Sequence, residues 1–366
     1  MIPYFAVFVA LSLSSLLQLD RVIKYYKSLF LLLCFSVLAI LAGVRSSSVG
    51  ADYNNYRRFF EDFNGVSDGG IKQIFDFNGY FFEPAFAGLI VFSKSLSSSH
   101  VFFFVLVSAL TAILMLVGLR RLTAYPLLSL LVFYSYDFFA NFMVAIRFGV
   151  AVALTLFVLI SIAKRMHWAS LFLIFSASLF HTSALVLIIP FLTSFLNLGR
   201  RALSFGFLGT LVVGYLGLGK SIFSALLPSF IPRADSALAY ISSSKYGETL
   251  GFFGLVNIKY IVLMFLTLAF WDRLIKRYRY FSVVALFLFW AVAFRVGLHD
   301  LGFIVGRVSA LLGIVEIILV PWLCFSVLKS PLASWFLVLS YSFLHLLMIL
   351  FVRGYTEYSA VIFSNF

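Results

Sequence analysis

The chain has 366 residues, 63% of them hydrophobic and only 11% charged, and a mean hydropathy of +1.08 excludes an ordinary soluble domain. Its formal net charge of +13 sits in small basic clusters between apolar runs, the pattern of membrane topology signals and not of a nucleic-acid surface, so no nucleic-acid partner is expected. Apolar runs near the ~17–25 residues of a spanning helix, with no alternating strand-like segments, predict an all-α polytopic membrane protein over a β-barrel.

In chain order, MIPYFAVFVALSLSSLLQL lacks a basic leader and a small-residue cleavage site, so residues 3–19 read as a first span. The cluster DRVIKYYK (20–27) is expected in the cytoplasm, and 28–44 return outward, leaving the polar loop 45–83 on the outer face. That loop holds six of the fourteen carboxylates, Asp52, Glu61, Asp62, Asp68, Asp76 and Glu83, beside Arg45, Arg57, Arg58 and Lys72. The run 84–98 carries Lys94 and several serines. At ~1.5 Å per residue its fourteen or so apolar positions reach only about 21 Å, short of the ~30 Å hydrocarbon core. It reads as a re-entrant or interfacial helix, with Glu83 before it and Pro84 at its first position.

Further spans are expected at 101–119, 125–140, 144–163, 168–181, 183–198, 203–219, 256–271, 280–297, 307–328 and 333–352. Basic clusters at Arg120-Arg121, Lys164-Arg165, Arg200-Arg201, 272–279 and Lys329 mark cytoplasmic turns, for about twelve crossings with both termini outside. A second outer segment, 220–255, holds Pro228, Pro232, Arg233, Asp235, Lys245, Tyr246 and Glu248, and its SIFSALL run suits an interface. The whole chain reads as one integral membrane domain without internal repeats. Cys34 and Cys324 lie inside apolar runs without a CxxC or histidine partner, so neither a disulfide framework nor a metal site is expected.

Ionisable groups at the ends of apolar spans carry the chemistry, because burying them is costly. Arg147 opens one span, Arg295, His299 and Asp300 close another, and Arg307 opens the next. With Arg45 these make four arginines at one membrane depth, and planar guanidinium forks suit a diphosphate. The competing reading is that Arg147 and Arg307 snorkel or pair with buried acids such as Asp137 and Glu316. His181, in LFHTSALVL, is placed to take a proton from a hydroxyl or to cap and pack a helix end; His299-Asp300 has the same two readings, and His345 reads as a core residue. In GADYNNY, Asp52, Tyr53 and Tyr56 combine aromatic faces with polar groups, as a sugar-binding surface does, although interfacial belts draw on the same residues.

Four stretches in order, RSSSVGADYNNYRRFF, FEPAFAGL, NFMVAIRFGVAVAL and ASLFHTSALVLIIPF, resemble the EpsG-like branch of the Wzy-type bacterial polysaccharide polymerases. GRVSALLGIVEIILVP resembles that family's late arginine-and-proline element, while Phe148 stands where the family often has glutamine and Ala85 where glycine is common. The resemblance implies a metal-independent glycosyltransferase of the bacterial inner membrane, working on its periplasmic face without a cofactor or nucleotide sugar. It would join oligosaccharide repeat units carried on undecaprenyl diphosphate into O-antigen, capsule or exopolysaccharide, beside a chain-length regulator protein. On this reading Arg147 and Arg307, then Arg45 and Arg295, offset charge on the diphosphate, and His181, Glu83 or Asp52 serves as base. Asp52, Tyr53, Tyr56 and His299 would hold the substrate. The alternatives are an O-antigen ligase, a lipid-linked oligosaccharide flippase or transporter, and a structural partner of an export complex.

Overall fold

A computed structural model of the chain describes residues 1–19, 24–50, 52–75, 83–226, 251–352, 354 and 358–361. Asp76 and the proline- and charge-bearing part of the second outer segment, from 227 to 250, lie outside the described residues. The described chain is built from helices, with one isolated antiparallel bridge between Arg45 and Ala360. It is an all-α polytopic membrane protein. Among the described residues, four helices by length and composition can cross a bilayer outright, or up to seven if each bent pair counts as one span, and five shorter apolar helices accompany them.

Contacts divide the chain into two compact units, one of residues 1–160, 171–185 and 317–366, the other of 161–170 and 186–316. In the first, α1 is Ile2–Leu16, α2 Lys24–Gly43, α3 Tyr53–Asp62, α4 Gly70–Phe75, α5 Pro84–Leu96, α6 His100–Leu122 and α7 Pro126–Ser135. Proline opens α1, α5 and α7, where its missing N–H costs nothing and its fixed φ is already helical. The long α6 is the unit's axis: α2 packs along it, and α3 and α5 cover it elsewhere. At Gly43 a Cβ would stand 2.7 Å from Val105 Cγ2, so the absence of a side chain lets the end of α2 touch α6. Tyr53, Tyr56 and Phe60 from α3, Phe86 and Ile90 from α5, and Phe103 and Phe104 from α6 form one buried cluster. Aromatic pairs such as stacked Tyr53 and Phe104, 4.5 Å between centroids, each contribute about 0.5–1.5 kcal/mol beyond burial.

The expected straight span 125–140 is instead α7 followed, after a 73° bend, by a π-helical stretch, Phe138–Val144. The chain then enters α8, Ile146–Ala163, and α9, His167–Ser178. Later in the chain come α10 Ile188–Ser194, α11 Arg200–Tyr215, α12 Gly219–Leu226, α13 Leu255–Ala269, α14 Trp271–Arg277, α15 Phe281–Val292 and α16 Phe303–Gly313. The mostly buried α15 is the axis of the second unit and is packed by α10, α11, α13 and α16. A 74° bend separates α13 from α14, and α15 runs into a second π-helical stretch, Ala293–Gly297. The expected span 307–328 is also broken, ending as α16 at Gly313 and resuming as α17, Glu316–Val327. A cause lies in α16: Tyr260 Oη donates to Ser309 O at 3.3 Å, and its ring occupies the space beside Gly313, where a Cβ would be 1.9 Å from that hydroxyl. The last long helix, α18 (Pro331–Leu347), starts on Ser330, whose side chain accepts from Ala333 N.

Candidate active site

Arg147 leaves the first turn of α8 just after the π-helical stretch. Gly149 makes that junction possible, since a Cβ there would lie 2.2 Å from Asn141 O. Glu83 is the N-cap residue of α5, and Ala85 N donates to Leu179 O at 3.0 Å, tying that helix start to the turn after α9. Arg147 Nη1 donates to Glu83 Oε2 at 2.6 Å, with the two side chains 22% and 13% exposed. Glu83 Oε1 in turn accepts from Thr182 N at 3.1 Å and from Thr182 Oγ1 at 3.2 Å. The carboxylate thus bridges the arginine to the very turn that carries His181. The arginine's carboxylate partner Glu83 comes from the polar loop 45–83, and Asp137 accepts from Asn141 Nδ2 at 3.2 Å.

His181 Nδ1 accepts from Ser183 N at 3.3 Å and faces Ser183 Oγ at 2.6 Å. A backbone N–H can only donate, so the neutral ring carries its proton on Nε2. Phe148 packs edge-on against this imidazole, centroids 5.1 Å apart.

Arg45 is fully buried between the end of α2 and the start of α3. Its Nη1 donates to Ala42 O, and its guanidinium lies 5.6 Å from the Tyr53 ring centroid and 4.7 Å from that of Phe104. Its Nε and Nη2 have no hydrogen-bond partner among the described residues. Burial pulls its pKa down to about 10, countered in part by Tyr53 and Tyr56, so it stays charged near neutrality. The chain's far end closes over it: Ser46 N donates to Ser359 O and Val361 N to Val44 O, each at 2.8 Å. Arg147 lies 6.0 Å from the Tyr56 ring centroid and 5.8 Å from that of Phe86. One turn of α3 therefore sets Tyr53 against Arg45 and Tyr56 against Arg147. Both tyrosines are under 5% exposed, so their faces meet protein where the sequence suggested a stacking surface for sugar. Asp52 stands half-buried at the N-cap of α3.

The sequence profile of the EpsG family matches residues 3–363. The chain belongs to the EpsG family. A relative, the amylovoran biosynthesis protein AmsC of Erwinia amylovora, is 25% identical over 319 residues, which span 85% of this chain and 82% of that protein. No solved structure matches the chain.

The remaining candidates of this EpsG-family chain belong to the second unit. Arg295 sits within the second π-helical stretch, and its Nε donates to Oδ1 of the fully buried Asn257 at 2.9 Å. Its Nη1 lies against Gly306, where a Cβ would be 3.4 Å away, beside half-buried Arg307 on α16. His299 Nε2 donates to Gly214 O at 3.0 Å, and Asp300 Oδ2 accepts from Lys220 N at 2.8 Å, holding the start of α12. Within each unit two of the four arginines thus occupy neighbouring elements, Arg45 with Arg147 and Arg295 with Arg307.

Sequence reasoning missed Lys259, whose Nζ is 2.6 Å from Glu316 Oε2 with both side chains largely buried. The available signal was a lone lysine inside the apolar run LVNIKYIVLM. It also passed over Thr182 and Ser183, which only their positions beside Glu83 and His181 make notable.

Proposed function

We propose that this EpsG-family protein is a polysaccharide polymerase that joins lipid-linked oligosaccharide repeat units during exopolysaccharide or O-antigen synthesis. In this reading the growing glycan is carried on undecaprenyl diphosphate and passes to a hydroxyl of the incoming unit at the periplasmic face of the inner membrane. Family membership and a relative named for amylovoran biosynthesis support polysaccharide assembly. The observation that carries the chemistry is Arg147 held by Glu83 beside the His181 turn.

The acceptor hydroxyl attacks the anomeric carbon while the glycosidic bond to the diphosphate breaks, and the lipid diphosphate leaves with the electron pair. Charge grows on that leaving group, and Arg147 with Arg45 offsets it. Glu83 fixes the guanidinium of Arg147. His181, with its lone pair on Nδ1 turned to Ser183, receives the proton through that hydroxyl: Ser183 Oγ takes the proton of the acceptor as its own passes to Nδ1. Asp52 contacts the sugars, and a chain-length regulator is a partner.

The test is polymerisation of a lipid-linked repeat unit by purified protein in EDTA. Wild type is expected to give a ladder that Arg147→Ala and His181→Ala each abolish while the protein stays folded. A ladder undiminished in both variants keeps the polymerase and discards this site. A ladder that requires a divalent ion discards metal independence, and transfer only to a lipid A core acceptor makes the protein a ligase.

A further inference from the structure

The second unit holds a cavity of about 440 Å³ with a chemistry unlike that of the arginine sites above. Its walls come from the end of α8, the starts of α9 and α11, the end of α10, and α14 with α15. Arg165, His167 and Arg279 face it together with Asn197 and Ser282, and no carboxylate is among the lining residues. The nearby acid Asp272, on the exposed surface, is engaged by Arg200 at 3.2 Å. Apart from Ser194, the rest of the wall is apolar or glycine, with Trp271, Ile275 and Leu286 among it. The cavity therefore combines two arginines and a histidine, all exposed, with apolar side chains.

The backbone adds an independent observation. Arg165 (φ 56°) and Asn197 (φ 46°) are the non-glycine residues with positive φ among those described, and Arg165 Nη2 donates to Asn197 Oδ1 at 3.2 Å. Arg165 ends α8 in a tight cap, with Met166 N donating to Ser161 O and Arg165 N to Ile162 O, each at 2.9 Å. Glycine fills that left-handed position without steric cost and asparagine offsets the cost with local hydrogen bonds, whereas arginine does neither. A guanidinium kept there in spite of the backbone is consistent with a task for its charge. The surrounding turns carry Lys164, Arg201, Lys276 and Arg277 as well, the signature of the helix ends that face the anionic cytoplasmic leaflet.

We propose that this cavity is a binding site for the phosphate headgroup of an anionic phospholipid, with Arg165 and Arg279 on the phosphate oxygens and the apolar wall against an acyl chain. The site is independent of the glycosyl-transfer reading, which rests on other residues. The experiment is native mass spectrometry of the purified full-length protein, delipidated and titrated with phosphatidylglycerol, phosphatidylcholine or inorganic phosphate. Wild type is expected to retain phosphatidylglycerol in preference to phosphatidylcholine. Arg165→Gln with Arg279→Gln should weaken that binding about tenfold or more, while the charge-matched pair Lys164→Gln with Arg201→Gln leaves it within about twofold. Ser282→Trp, which fills the cavity and alters no charge, should displace the lipid too. Equal loss in both double variants, or lipid binding unaffected by Ser282→Trp, would mean a diffuse surface charge effect and overturns the site. Saturation by inorganic phosphate with no gain from the lipid overturns the phospholipid as occupant.

Discussion

Arg147 and Glu83 lie far apart in sequence, yet their ion pair is the most consequential contact that the polar loop makes. Because both partners are largely shielded from water, losing one leaves the other uncompensated, which typically costs several kcal/mol. Glu83→Gln is expected to lower stability by about 3 kcal/mol and polymerisation together with it. Thr182→Val, which removes one hydrogen bond to Glu83, should cost only about 1 kcal/mol. Arg147→Ala should reduce turnover by about 10²–10³-fold even where folded protein is recovered. Turnover per folded molecule for all three, with Thr182→Val the mildest, checks the ranking; a Thr182→Val as inactive as Arg147→Ala would give threonine a direct role. On the exposed side of α3, Arg57 donates to Glu61 at 2.7 Å and holds its carboxyl below the usual range. That interaction is present above the ordinary glutamate pKa and fades as pH falls through the lowered value. The Glu61 titration midpoint should therefore rise in Arg57→Ala, read by NMR of labelled glutamate, with polymerisation unchanged.

At the scale of elements, the arginines Arg147 and Arg295 follow or occupy stretches of π-helix, Phe138–Val144 and Ala293–Gly297. Such stretches widen the turn and release backbone groups from the regular ladder, and they recur at functional sites. The first of them depends on Gly149, whose missing side chain admits Asn141 O. Gly149→Ala should push that junction apart and move Arg147, and a displacement near 1 Å costs up to about a hundredfold in rate. Gly88→Ala on α5, where a Cβ would find only Ile74 Cδ1 at 4.0 Å among the described residues, is the matched control and should be active. Equal activity of the two glycine variants would show that the π-helical junction does not set the position of Arg147.

Across the whole molecule, the basic clusters predict an orientation with loop 45–83 outside, and it can be read with single cysteines because native Cys34 and Cys324 are buried. A membrane-impermeant maleimide should label Asp68→Cys in intact cells and Lys164→Cys only after permeabilisation. The reverse pattern would invert the topology and move the arginine site to the cytoplasm. The helical membrane class was legible because hydropathy in long runs leaves a chain no other way to satisfy its backbone in lipid. The start of α5 was legible too, since Glu83-Pro84 is a local signal that needs no distant partner.

What composition and local chemistry determined was therefore the class, the α5 boundary and the set of costly side chains Arg45, Glu83, Arg147, His181, Arg295 and Arg307. Partnership was decided only by the fold. That Arg147 meets Glu83 and Tyr56 depends on segments remote in the chain, and that Thr182, beside His181, reaches Glu83 does so too. The bends of the expected spans also came from tertiary contacts, as where Tyr260 takes the room beside Gly313. The physical reason is that hydropathy is a sum over neighbouring residues, whereas the direction of a hydrogen bond and the room for a ring are set by whatever the packed chain brings to that point.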